Sequence, residues 1–245
     1  QAGLPLAVGA VVCVLFVLRQ RRLEKPFLDV KILRSRNYAV SVLSSMVLYL
    51  VMMGSSVMMP LYVQSVMGYS AVTSGLVTLP GSLATAVVSP FAGRLYDKMG
   101  IRKIFVAGAA ALVVSNVGMA FISLETPLWV AAGFNVIRNL AIGSLMMPLL
   151  TWGTSSIQIK KVADASSLLT SFRTIAGSIG SAVFVGIMTA VSEGSAAAYG
   201  EGALMHGMNI AFLCMAAGSV ILLLISVFGV RKENKCNREG TETNS

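Results

Sequence analysis

Charge is what this sequence has least of. Asp, Glu, Lys and Arg make up only 12% of it, about half the share found in soluble globular domains. Hydrophobic residues make up 56% and the mean hydropathy is +0.78. These values exclude an ordinary water-soluble domain and point to a membrane protein. Histidine occurs once, at His206, and cysteine three times, at Cys13, Cys214 and Cys236. No metal-ligand spacing links them, so the cysteines read as packed or free thiols and no metal is expected.

The absence of charge is sharpest between Asn37 and Gly93. As one helix this run would measure about 85 Å at 1.5 Å per residue, against a hydrocarbon core of about 30 Å. It must fold back, and the natural break is Gln64 to Ala71, where polar residues and Gly68 interrupt the apolar pattern. Spans follow near 38–62, 71–93, 104–123, 127–152, 166–191 and 207–230, each long enough to cross as a helix of about 20 residues. The predicted fold is an all-α membrane protein with six complete transmembrane helices. A shorter apolar run, Leu4 to Leu18, is read as the end of a preceding, truncated helix. It lacks the initiator Met, basic leader and cleavage site of a signal peptide.

The basic residues give the orientation, because Lys and Arg collect on the cytoplasmic side. Residues 19–37, 94–103, 153–165 and the tail from Arg231 hold 17 of the 19 Lys and Arg. The opposite loops, near 63–70, 124–126 and 192–206, hold none, only Glu125, Glu193 and Glu201. The net charge of +9 is therefore a topology signal, and no nucleic-acid partner is implied. The C-terminus is expected in the cytoplasm, and the tail over 231–245 is polar enough to be disordered.

No Asp or Glu lies within any of the six spans. With no paired acids, no nucleophile beside a base and only a peripheral histidine, an intramembrane enzyme is disfavoured. A retinal protein is disfavoured too, since neither of the last two spans carries the lysine it needs. A non-transporting ligand receptor stays open.

One charged segment interrupts this pattern: "GRLYDKMGIRK", Gly93 to Lys103. A solvated turn needs only basic residues and a turn former. Here Gly93 removes a side chain at the membrane boundary, Gly100 permits a positive φ, and Asp97 places an acid among bases. The order G-x-x-x-D-K-x-G-x-R-K resembles the loop signature of the major facilitator superfamily, between the second and third helices of a six-helix half. "KPFLDVKILRSRNYA", "MPLYVQSVMGYSAVTSGLVTLPGSLATAVVSPFAGRLYDKMG" and "SSLLTSFRTIAGSIGSAV" resemble the C-terminal half of its fourteen-span drug:proton antiporters.

The resemblance implies the following organisation. Residues 1–18 end an extra linker helix, 19–37 form a cytoplasmic linker, and 38–230 form the six-helix C-terminal transporter domain. The protein would be a multi-pass exporter in the plasma membrane, working by alternating access on amphipathic small molecules. A proton gradient, with no cofactor, would drive it, and an N-terminal half absent from this chain would complete it. A major facilitator carrier of another metabolite is the alternative. Gly93, Arg94, Asp97, Lys98, Gly100, Arg102 and Lys103 would form a cytoplasmic gate, closed when the cavity faces outward. One departure is "RNLAIGSLMMP", where Asn139 and Ala141 stand in place of a Gly-rich pattern.

Within the spans, Asn135, Arg138 and Asn139 form one polar group and Thr170, Arg173 and Thr174 another. A membrane-centre Arg costs roughly 2.5 to 3.5 kcal/mol unless paired or wetted, so both sets are candidates for lining a cavity or bracing helices. Arg138 and Arg173 would pair with groups from the absent half. Gly177, Gly180 and Ser181 are expected to allow close helix packing. Leu168, Phe172, Ile175, Ile179 and Val183 are expected on the lipid face. Fourteen methionines, among them Met52, Met53, Met58, Met59, Met146 and Met147, serve either packing or a deformable ligand surface.

Overall fold

The structure, a computed structural model, describes residues 32, 35–155, 157–158 and 161–230, without the side chains of Asp97 and Glu201. The helix expected over 1–18, most of the linker over 19–37 and the tail over 231–245 lie outside these residues.

Among the described residues six helices are long and apolar enough to cross a membrane. Helix α1 spans Arg36–Leu61 and continues through a wider π-helical turn, Tyr62–Val66. Helix α2 spans Ala71–Met99, α3 Ile101–Ala120 and α4 Leu128–Ser155. Helix α5 spans Val162–Tyr199, and α6 spans Ala203–Leu224 with a π-helical turn at Ile225–Gly229.

The helices consume most of the segments expected to be loops. "GRLYDKMGIRK" is almost wholly helical: α2 runs to Met99 and α3 starts at Ile101. Gly100 alone makes the turn, at φ 75°, a conformation that costs a residue without a Cβ little. The expected outer loop over 192–206 shrinks in the same way, to one 3-10 turn at Gly200–Gly202 entered at φ 51°. Helix α5 has 38 residues, about 57 Å at 1.5 Å per residue, and so projects well past a hydrocarbon core of about 30 Å. Helix α2 continues unbroken through Pro80 and Pro90.

Two local devices set the outer turns. Ser70 caps α2 by accepting the Thr73 amide at 3.2 Å, after Gly68 has turned the chain at φ 70°. Before α4, the Ser123 amide donates to Thr126 Oγ1 at 2.9 Å and Pro127 precedes the first helical residue, which suits a residue with no amide hydrogen to satisfy.

In the bundle α2 packs along α4 and α1 along α5, while α3 lies against α4 and α6. Exchanging the first three helices for the last three turns the α2–α4 pair into α5–α1, the pattern of two related three-helix repeats. Helices α2 and α5 stand at the flanks: 17% and 28% of their spanning windows is buried, against 39 to 50% for the other four. Flanking position explains one departure on α5. Ile175, Ile179 and Val183 are exposed, but Leu168 is buried and Phe172 half-buried, because near its inner end α5 tucks Leu168 beside Tyr38 and Val42 of α1.

Candidate functional site

The polar residues inside the spans separate into two groups, one within the bundle and one at an open cleft. On α4, Asn135 and Arg138 are 3% and 2% exposed. Their spacing of three residues puts them one above the other on a helix face, and Arg138 Nη2 donates to Asn135 Oδ1 at 2.5 Å. Asn139 Nδ2 donates to the Asn135 carbonyl at 2.8 Å. Across the interface Thr85 Oγ1 on α2 donates to the Asn139 carbonyl at 3.0 Å. Gly81 makes this fit possible, for a Cβ there would lie 2.6 Å from Asn139 Nδ2 and 2.9 Å from Asn135 Nδ2.

Arg138 thus lies inside this chain. It is buried among the chain's own helices, and its hydrogen-bond partner is Asn135, three residues before it on the same helix. Among the described residues its Nη1 is buried without a hydrogen-bond partner, as is the Oδ1 of Asn116 on α3. Asn116 uses its other end, Nδ2, to donate to Ser219 Oγ on α6 at 2.9 Å.

Arg173 on α5 is placed differently. It is 5% exposed, its Nη2 donates to the Met146 carbonyl of α4 at 3.1 Å, and its guanidinium carbon lies 4.8 Å from the centre of the Tyr49 ring on α1. One side chain therefore ties three helices. Its Nε has no hydrogen-bond partner among the described residues.

Next to it a cleft of about 180 Å³ opens between α1 and α5, lined by Tyr49, Met53, Thr174, Gly177, Ser178 and Ser181. Helical spacing puts Thr170, Thr174 and Ser178 on one exposed stripe of α5. Each hydroxyl donates to the carbonyl four residues back, at 2.8 to 3.0 Å, which lets a polar side chain sit at membrane depth without an unmet donor. Gly177 lines the cleft, and Gly180 beside it brings α5 close to α1. Gly180 lies directly against the Leu50 backbone, so a Cβ would strike main chain, whereas at Gly177 it would meet the Met53 side chain at 2.8 Å.

At the inner end, Arg102 Nη2 donates to the Val227 carbonyl of α6 at 3.3 Å, and Arg94 sits 5.9 Å over the ring of Phe91 on its own helix. Gly93 is exposed with open space where a Cβ would stand, and Lys98 and Lys103 are exposed as well. The segment meets the rest of this chain through Arg102 and through Tyr96 and Ile101, which are buried in the inner core. The backbone of Asp97 continues α2.

Met53 was among the methionines offered by the sequence as packing or a deformable ligand surface, but Tyr49 was not singled out. An aromatic in an apolar run reads equally well as lipid-facing. Only the pairing of α1 with α5 brings them opposite Thr174.

Comparison with known proteins matches residues 2–181 to the sequence model of the Major Facilitator Superfamily. The uncharacterized MFS-type transporter YcnB of Bacillus subtilis is 28% identical over 94% of this chain and 48% of its own length. The lincomycin resistance protein LmrB of Listeria monocytogenes is 28% identical over 93% of the chain and 50% of its own. The multidrug export protein EmrB of Haemophilus influenzae is 32% identical over 73% of the chain and 35% of its own. The chain spans about half the length of the first two.

Proposed function

The chain belongs to the major facilitator superfamily, a family of membrane transporters and not of enzymes, and we propose that it forms the C-terminal half of a proton-coupled exporter of amphipathic drugs. The observation that carries this reading is the cleft between α1 and α5. It presents a stripe of hydroxyls, Thr174, Ser178 and Ser181, beside the ring of Tyr49 and the thioether of Met53. Facing a second half across a substrate path, the same stripe becomes a wetted wall.

Relatives about twice as long as this chain, two of them named for lincomycin resistance and multidrug export, support both the second half and the substrate class. Alternating access then proceeds by rocking of the halves about the shared cavity. The six spans contain no Asp or Glu, so the coupling acid belongs to the other half. The expected location is the plasma membrane, with the basic loops and the C-terminus cytoplasmic.

Gly93, Arg94, Asp97, Lys98, Gly100, Arg102 and Lys103 act in this reading as the inner latch. They are presented at the tight α2–α3 corner, which Arg102 fastens to the end of α6. The test is drug efflux by the complete protein in vesicles with an imposed pH gradient. Efflux is expected to follow the gradient and to be lost in Asp97→Asn while membrane insertion is kept. Gradient-independent uptake would remove the antiport reading, and undiminished efflux by Asp97→Asn would remove the latch.

A further inference from the structure

We propose that the α1–α5 cleft selects lipophilic anions over lipophilic cations of the same shape, an inference that rests on the transporter reading above. The lining supplies an aromatic ring, a thioether, hydroxyls and a glycine, but no carboxylate. The guanidinium of Arg173 lies 4.8 Å from the centre of the ring of Tyr49, which lines the cleft. The hydrogen bond it makes goes to a neutral carbonyl, that of Met146, and its buried Nε has no hydrogen-bond partner among the described residues. A full positive charge thus rests on a ring of the cleft wall, with no carboxylate in its contacts among the described residues.

Acids on the same helix are remote. Asp164 precedes Thr174 by ten residues and Glu193 follows Ser181 by twelve, which is about 15 and 18 Å along a helix at 1.5 Å per residue. Glu125 sits in the outer turn between α3 and α4. In a wall of low dielectric such an unbalanced charge sets the sign of the local potential.

The aromatic ring does not reverse this preference. A tyrosine attracts cations through its ring face, and one face of Tyr49 is already covered by Arg173. The hydroxyls of Thr174 and Ser178 donate into their own helix, but a hydroxyl hydrogen rotates and can be recruited by an arriving anion.

Tetraphenylborate and tetraphenylphosphonium, matched in size and opposite in charge, test this. In the complete protein carrying Ser178→Cys, each ion is titrated for protection of that thiol against alkylation, read by mass spectrometry. Borate is expected to protect at about one-tenth of the phosphonium concentration or less, a factor of ten being a modest electrostatic discrimination. Unequal partitioning of the ions into detergent cancels when the ratio is compared between variants. Arg173→Gln is expected to abolish the preference and Arg173→Lys to keep it.

Should Arg173→Gln fail to fold, Thr174→Asp, at an exposed position, is expected to turn the preference toward phosphonium. Equal protection by both ions, a phosphonium preference, or a ratio unmoved by Arg173→Gln and Thr174→Asp overturns the charge selection while leaving the cleft as a binding site. Protection by neither ion removes the cleft as a substrate site, and the charge selection with it.

Discussion

The two ends of the bundle are packed from different materials. Toward the outer ends of the helices, seven of the seventeen buried core residues are methionine: Met58, Met59, Met119, Met188, Met205, Met208 and Met215. Toward the basic, inner ends the core is Leu48, Leu112, Leu145, Leu149, Leu222, Ile101, Ile104, Ile142, Phe105 and Trp152 with smaller residues, and none of its fully buried members is methionine. Methionine has an unbranched side chain that refits irregular gaps, whereas leucine and isoleucine hold defined rotamers and transmit strain.

Hydrogen bonds between helices do not follow this division. Near the inner end Tyr38 Oη donates to the Ala165 carbonyl at 2.6 Å and Ser41 Oγ to the Leu149 carbonyl at 2.5 Å. Near the outer end Ser115 Oγ donates to the Phe134 carbonyl at 2.6 Å and Asn209 Nδ2 to the Ile122 carbonyl at 3.2 Å, while Ser55 Oγ reaches a thioether, Met215 Sδ, at 3.4 Å. The lesson is that one continuous bundle can hold a rigid foot and a pliant head. Under the proposed function, in which the two halves rock, the pliant head is where helices would shift at low cost.

Four substitutions, ordered by expected size, and two controls break or sharpen this comparison, each read by thermal unfolding of the purified protein in detergent. Leu145→Ala, in the inner core, is expected to cost about 2 to 5 kcal/mol, because a rigid surround collapses poorly on a cavity. A loss under about 1 kcal/mol would show the foot to be as plastic as the head. Gly180→Ala is expected to cost about 1 to 3 kcal/mol by overpacking, since its new methyl meets the Leu50 backbone. Gly177→Ala is the control, because there Met53 can swing aside.

In the outer core Met208→Leu conserves volume, so a change below about 1.5 kcal/mol is expected. A larger loss would mean that the methionines are fitted as tightly as the leucines. Smallest is Tyr38→Phe, which removes one buried interhelical hydrogen bond worth about 0.6 kcal/mol on average inside membrane bundles. Ser55→Ala, which gives up only a contact to a thioether, is expected to cost less, and an equal loss would show that bond to be as strong as the one to a carbonyl.

The six spanning helices of the described residues and the family were legible in the sequence. Uncharged runs of sufficient length admit one backbone solution in lipid, the helix, and the placement of Lys and Arg fixes the alternation. Loops were overestimated. Polar composition at 192–206 and 93–103 reads as irregular chain, yet helices extend through both, stopped only by Gly200 and Gly100. Outside the hydrocarbon a helix needs no apolar side chains to persist, so hydropathy marks where lipid ends and not where helix ends.

The candidate site was legible as a set of residues and not as an arrangement. Composition and spacing determined that Asn135, Arg138, Asn139, Thr170, Arg173 and Thr174 lie inside spans and need polar surroundings, because desolvating them is costly wherever they are. Tertiary structure alone decided that Arg138 is turned inward to Asn135, that Arg173 bridges three helices over the Tyr49 ring, and that Tyr49 and Met53 face Thr174 across a cleft. It also gathered methionines far apart in sequence into one end of the core. Periodicity fixes which residues share a face of one helix; which neighbour that face meets depends on how six helices pack together, and no single helix encodes that.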